Sequence, residues 1–195
     1  MSVIFGVQED CQVIIAGDKR GSTVKGEFLT DDLDKVLVIN EHLAFSSAGN
    51  TAIKTAISTD VNMNMNKSLL TTDDLLDIIK AFYKRVDDAN LNKIFCDPFY
   101  FLIAGKGRDG SASLVSGGSV KGHFKAENVP MALYPPADTE LQKCCDCFVK
   151  NYKLHYPEFV ERTIKEISGI SRLVSTTGNK WVYDVSKGKG QLYSF

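Results

Sequence analysis

Residues 2–18 read SVIFGVQEDCQVIIAGD. Two short apolar runs rich in β-branched residues, 3–7 (VIFGV) and 12–16 (QVIIA), flank the polar stretch Gln8, Glu9, Asp10 and Cys11. That pattern predicts a hairpin of two antiparallel strands with its turn centred near residue 10. In such a ladder the turn dictates which residues oppose each other, so Ser2 and Asp18 are expected side by side at the open end.

The same arrangement recurs downstream. After a polar segment containing Gly21 and Gly26, KVLVI (35–39) and HLAFSSA (42–48) flank Asn40 and Glu41. Lys35 is therefore expected opposite the Ser46–Gly49 end of its partner strand. Counting treats each hairpin separately and leaves the meeting of the two open ends to the tertiary fold.

Beyond Gly49 the pattern turns helical. Segment 50–58 is a short helix candidate, and 71–89 carries Leu75, Leu76, Ile78, Ile79, Phe82, Tyr83 and Val86 at helical spacing. Thr71 or Thr72 suits its cap, and Asp73 and Asp74 suit the positive end of its dipole. Strands are expected again at 99–105, 111–117, 122–127 and 129–134, helices at about 137–155 and 158–168, and closing strands at RLVSTT (172–177) and KWVYDVSK (180–187). Helix pairs inserted between sets of antiparallel strands fit an α+β fold with two sheets face to face and a helix layer outside each.

With 195 residues the chain suits one domain, 1–195. A net charge of -1 lacks the basic excess that nucleic acid or an anionic membrane surface selects, so neither partner is expected. The N-terminus lacks the layout of a signal peptide and no apolar run is long enough to span a bilayer, so a cytoplasmic protein is expected. Its five cysteines then read as reduced thiols.

Three motifs invite chemistry and yield to plainer readings. GKGRDG (105–110) matches a dinucleotide fingerprint in spelling, but a strand pattern follows it where the fingerprint needs a helix, so it reads as a hairpin turn. Cys144, Cys145 and Cys147 lie in a helical apolar stripe without zinc-ligand spacing, so they read as core packing, and no metal or other cofactor is expected. His42, His123 and His155 have no nucleophile elbow to serve and read as structural.

Ser2, Asp18, Lys35 and the Ser46–Gly49 strand end remain. Polar residues flank strands in many proteins, and that reading stays open. Against it stands one chemical fact: if Met1 is removed, Ser2 carries both a hydroxyl nucleophile and a free α-amine with a reference pKa of roughly 7.7–8. One residue then supplies nucleophile and base without histidine.

These residues resemble the N-terminal nucleophile hydrolases, and within them the β-type proteasome subunits and the bacterial proteasome-like peptidase that works with an unfolding ATPase. Counted from Ser2 as the processed first residue, residues 2–18 follow the family's opening strand pair, with Asp18 where it places its first active-site acid. LDKVLVINEHLAFSSAG (33–49) is similar to the strand pair carrying the catalytic lysine, which puts that role on Lys35 and the oxyanion-binding N–H on Gly49. NTAIKTAI (50–57) resembles the family's first helix. The close part covers about the first 57 residues, and beyond it the likeness is in element order.

The resemblance implies a four-layer αββα sandwich, cleavage of amide bonds in a peptide or protein substrate, and homo-oligomeric rings served by an ATPase partner. Against the resemblance stand three departures, of which the first is that Ser2 replaces the family's usual threonine, keeping the chemistry but losing the methyl group that limits side-chain rotation. MALYPPAD (131–138) stands where the family has a Gly-Ser-Gly stretch, and Tyr134 and Pro135 do not replace its serine. In SGIS (168–171), Ser168 replaces the second acid while Ser171 keeps the site serine. Two alternatives accompany this reading: a noncatalytic assembly subunit of the same fold, and a small-molecule amidase.

Overall fold

The computed structural model describes residues 2–23, 26–63, 66–91, 95, 97–121 and 123–195. Met1, Cys96 and Gly122, the last at the start of an expected strand, lie outside them.

The first hairpin forms as β1 (Ile4–Gln8) and β2 (Gln12–Asp18), antiparallel with Ile4 opposite Gly17 and Gln8 opposite Val13. The register runs one residue beyond the expected one, because Glu9 N–H donates to the Gln12 carbonyl and centres the turn between residues 10 and 11. Val3 is thus the residue that faces Asp18, and the Asp18 N–H donates to its carbonyl at 3.3 Å. A two-stranded ribbon that the pattern did not predict follows, β3 (Gly21–Ser22) and β4 (Phe28–Thr30). The second hairpin forms as β5 (Val36–Asn40) and β6 (Leu43–Gly49), with Val36 opposite Ser46 as expected.

Helix α1 runs further than expected, Thr51–Met63, and α2 spans Thr72–Asp88. Thr71 caps α2 in a reciprocal box with Asp74, each side chain bonding the other's backbone N–H. Strands β7 (Phe99–Lys106), β8 (Ala112–Val120), β9 (His123–Asn128) and β10 (Met131–Tyr134) follow, then α3 (Leu141–Leu154) and α4 (Phe159–Ser168). GKGRDG is the β7–β8 turn, closed by Gly107 N–H on the Ser111 carbonyl at 2.7 Å.

The C-terminal expectation needs correction. RLVSTT (172–177) is not a strand, because its polar backbone is spent on the site described below. The last two strands are β11 (Gly178–Asp184) and β12 (Lys189–Ser194). β12 is an edge strand with a mostly exposed face, so it lacks the apolar alternation by which strands are recognised.

The protein is of the α+β class, with two five-stranded antiparallel sheets ordered β10-β1-β2-β11-β12 and β5-β6-β7-β8-β9. Three hydrophobic clusters organise it. One joins Ile4, Ile15 and Trp181 of the first sheet to Ala44, Leu102 and Leu114 of the second. A second packs Val3, Phe5 and Ile14 against Phe148, Phe159 and Ile164 of α3 and α4. The third packs Phe45, Phe101 and Ile103 against Ile53, Ile79 and Phe82 of α1 and α2. Neighbours such as Ile4 and Phe5 point into different clusters, and each such burial stabilises by roughly 1.5–3 kcal/mol. Strands buried on both faces lose the polar alternation, which is why 3–7 and 12–16 read as unbroken apolar runs. Cys144 is fully buried in the α3–α4 cluster, as its place in the apolar stripe predicts. Among the described residues no helix is long and apolar enough to cross a membrane.

Candidate active site

The start of β1, the end of β2, the start of β5 and the end of β6 come together at one end of the two sheets. Ser2, Asp18 and Lys35 are 4%, 0% and 6% exposed there. Polar groups so buried need partners.

The backbone of Arg20, just past β2, is the meeting point. Its carbonyl accepts the Ser2 hydroxyl at 2.9 Å and the Lys35 ammonium at 2.7 Å, so nucleophile and cation are neighbours across one oxygen. Its N–H donates to Asp18 Oδ2 at 2.8 Å. Asp18 also accepts the Val3 N–H on Oδ1 at 3.1 Å and the Ser175 N–H on Oδ2 at 3.2 Å. The carboxylate therefore ties the start of β1, the end of β2 and the 171–175 segment together through three backbone donors. Lys35 is held by the Arg20 carbonyl and not by Asp18, which acts on it through charge.

Electrostatics follow from burial. Desolvation pushes Asp18 up to about 6 against the pull of the Lys35 charge and the three N–H donors. Desolvation likewise brings Lys35 down to about 8, opposed by Asp18 and assisted by Lys54. Both groups change protonation near neutral pH, a property concentrated at functional sites.

Two glycines make room. A Cβ on Gly17 would lie 2.7 Å from Lys35 Cβ and 3.1 Å from Ile4 Cγ2, so the lysine stem crosses the sheet over a residue that must lack a side chain. Gly49 has φ +102, and a Cβ there would lie 2.1 Å from the Pro98 carbonyl oxygen. The β6–β7 ladder bonds through even-numbered residues of β6, since Asn50 N–H donates to Pro98, while Ser47 N–H donates to the Lys35 carbonyl at 3.2 Å on the other side. By the same alternation Gly49 N–H faces the Lys35 side, past the start of β5. Lys35, Ser47, Gly49, Lys54, Leu33 and Phe99 line a small cavity of about 20 Å³ at this place.

Arg20, Asp31, Asp138 and Ser175 complete the site, and sequence reasoning did not single them out. The Arg20 guanidinium makes a bidentate pair with Asp31 at 2.7 and 2.8 Å, donates to the Arg172 carbonyl at 2.9 Å and lies 5.4 Å from the Phe28 ring centre. This clamp holds the peptide unit that receives Ser2 and Lys35.

The Ser171 hydroxyl has its hydrogen-bond partners in the loop before α3 and in its own turn. It donates to Asp138 Oδ1 at 2.5 Å and accepts the Leu173 N–H at 3.1 Å, which sets the turn leading to Ser175. Ser168 is turned away, bonded to the Lys165 carbonyl of its own helix. Tyr134 is also engaged elsewhere, with Ser116 and Gly117 of β8. Among the described residues no group of three or more His, Cys, Asp or Glu side chains is placed to hold a metal ion. No protein-family model and no curated protein matches this chain.

Proposed function

We propose that this chain is an amide-bond hydrolase of the N-terminal nucleophile type, with the four-layer αββα sandwich of the proteasome β subunits and cleavage of peptides as its reaction. The observation that carries the reading is the shared acceptor: Ser2 and Lys35, 33 positions apart in sequence, donate to one carbonyl above a buried Asp18. The three clusters, one between the sheets and one between each sheet and a helix pair, support the layered fold.

Removal of Met1 frees the Ser2 α-amine. The amine takes the hydroxyl proton, directly or through a water, as Oγ attacks the amide carbonyl carbon. The Lys35 charge favours the neutral amine and the developing alkoxide, and Asp18 keeps that charge from being lost to burial. The Gly49 N–H donates to the tetrahedral oxyanion, a contact worth roughly 2.7–4 kcal/mol where such donors have been removed. The ammonium of Ser2 then protonates the leaving nitrogen as the carbon–nitrogen bond breaks. Water, activated by the same amine, releases the acyl group as a carboxylic acid. Rings of this chain served by an ATPase are the assembly the resemblance suggests.

The noncatalytic alternative draws on one observation, the withdrawal of Ser168 from the site. Mass spectrometry with a peptide epoxyketone, an electrophile that requires both hydroxyl and free amine, decides between them. The hydrolase reading expects a chain lacking Met1 that gains one adduct on Ser2, and none in Ser2→Ala. A chain that keeps Met1 and gains no adduct sinks it.

A further inference from the structure

Asp34 stands directly before Lys35, and three elements hold it. The Asn179 amide, on β11 of the first sheet, donates to its Oδ1 at 2.6 Å. The Lys54 ammonium, in the first turn of α1, donates to its backbone carbonyl at 2.6 Å. Lys19, just past β2, lies 3.6 Å from the same Oδ1. The Asp34 carbonyl belongs to the peptide unit that leads into Lys35, and on the other side the Lys35 carbonyl accepts the Ser47 N–H at 3.2 Å. Both peptide units flanking the lysine are therefore fixed, and the bond to the Asp34 side chain comes from the opposite sheet.

Asn179 breaks the pattern of its own strand. It is 2% exposed and pairs with Gly17 across the β2–β11 ladder, so its side chain stands on the face where Gly17 has none. That is the face over which the Lys35 stem passes, since a Cβ on Gly17 would meet Lys35 Cβ at 2.7 Å. The next residue of β11 on this face is Trp181, which belongs to the apolar cluster between the sheets. A buried amide where an apolar residue would serve packing better is a place to look for function. The Ser194 hydroxyl donates to Asn179 Oδ1 at 2.9 Å and so aims the amide nitrogen at Asp34, where the carboxylate makes the bond charge-assisted.

The groups that act on the Lys35 ammonium are the Arg20 carbonyl, which accepts it at 2.7 Å, Asp18 of β2 and Lys54 of α1. They act on the far end of the side chain, whereas Asp34 sets where the stem begins. We infer that Asn179 and Asp34 are positioning residues for Lys35: their bond ties β11 to the start of β5, and by fixing the stem it brings the ammonium to the Arg20 carbonyl. The inference rests on the hydrolase reading for what Lys35 does, and on this geometry for where Lys35 is held.

Asp34 is the residue to alter, because its side chain is 65% exposed and its loss leaves no cavity. Two quantities are read: the rate of Ser2 labelling by the epoxyketone, and the titration of Lys35 followed by NMR at its Cε, assigned by its disappearance in Lys35→Met. In Asp34→Ala the freed stem lets water reach the ammonium. Burial is the largest cause holding Lys35 down at about 8, so its titration should move up toward the ordinary value of 10.5. Labelling should slow by about tenfold. Asn179→Leu, which keeps the volume and removes the donor, should do the same, and the double variant should go no further. Asp34→Asn keeps the acceptor oxygen and should leave both readouts where they are in the unaltered protein. A role through charge alone gives a different result: loss of the carboxylate lowers the Lys35 titration, and Asp34→Asn matches Asp34→Ala. That result, or an unmoved titration in Asp34→Ala, overturns the inference. A titration that moves as expected in a protein whose Ser2 takes no adduct keeps the positioning and removes the hydrolase reading. Labelling of Ser2 with an unmoved titration does the reverse.

Discussion

The Ser171 hydroxyl sits 2.5 Å from Asp138 Oδ1, joining the loop before α3 to the segment after α4. Ser171 is 3% exposed, whereas Asp138 stands at the surface, so one end of the contact is buried and the other can be altered without a cavity. The same hydroxyl accepts the Leu173 N–H, and two residues later Ser175 donates to Asp18. A carboxylate from MALYPPAD thus steadies the backbone segment that helps hold Asp18, while the Ser168 hydroxyl is bonded to the Lys165 carbonyl of its own helix.

Asp138→Asn is therefore expected to slow labelling of Ser2 by about tenfold, since a neutral amide bonds the hydroxyl less strongly than a carboxylate does. Its stability cost should be modest, about 1 kcal/mol in urea unfolding. Ser171→Ala should slow labelling similarly, and the double variant should be no slower than the slower single one, because the two residues act through one contact. Additive losses would show that Asp138 and Ser171 act independently.

Gly17→Ala tests how Lys35 is placed. The added methyl would stand 2.7 Å from Lys35 Cβ, near the end of β2, where Gly17 still pairs with Ile4 of β1 and Asn179 of β11. The lysine stem must give way. Overpacking costs about 1–3 kcal/mol, and an ammonium moved by about 1 Å lowers the labelling rate by about 10²-fold. A Gly17→Ala protein that folds and labels at the original rate would mean that the Lys35 position is not critical.

Much of this was readable in the chain because hairpin registers are local. The β5–β6 pairing of Val36 with Ser46 follows from the turn at Asn40 and Glu41, and the β1–β2 pairing missed by one residue only because Glu9 and Gln12 close the turn unevenly. Amphipathic spacing likewise predicted α2 almost to its ends. The site was half legible: its ionisable residues stand at strand ends that pattern can place, but what joins them is the carbonyl of Arg20, and a backbone carbonyl is the same for every residue type. The mistaken strand at 172–177 has a related cause. Leu173 and Val174 are buried and β-branched or apolar as a strand would require, yet the neighbouring N–H groups bond Ser171, Asp18 and Ser175 side chains instead of a ladder.

Arg20→Ala examines that meeting point from its side chain. It removes the bidentate contact with Asp31, the bond to the Arg172 carbonyl and the stacking on Phe28, but leaves the peptide unit that binds Ser2 and Lys35. Asp31 is largely exposed, so the stability cost should stay within about 1 kcal/mol. Labelling of Ser2 should fall by a larger factor, about tenfold, because the acceptor is no longer fixed. Arg20→Lys, which keeps the charge and loses the fork, should resemble Arg20→Ala.

The pH dependence follows from burial at Asp18 and Lys35. Asp18 titrates at about 6 in the fold against an ordinary carboxylate value of 3.8, so between those values the folded chain binds more protons than the unfolded one and this group makes stability fall as pH rises. Lys35 titrates at about 8 against 10.5, so between those values the unfolded chain binds more protons and this group makes stability rise with pH. Labelling of Ser2 needs the neutral Ser2 amine, the Asp18 carboxylate and the Lys35 cation together, so its rate should be lost as pH falls through about 6 and lost again as it rises past about 8. Lys35→Met removes the positive charge that lowers the Asp18 pKa. A carbon-detected NMR titration of that carboxyl should move above its value of about 6, while urea unfolding loses the gain in stability between pH 8 and 10.5. An Asp18 titration that stays in place in Lys35→Met would show that the two groups are not electrostatically linked, and with it would go the role assigned to Asp18 in keeping Lys35 charged.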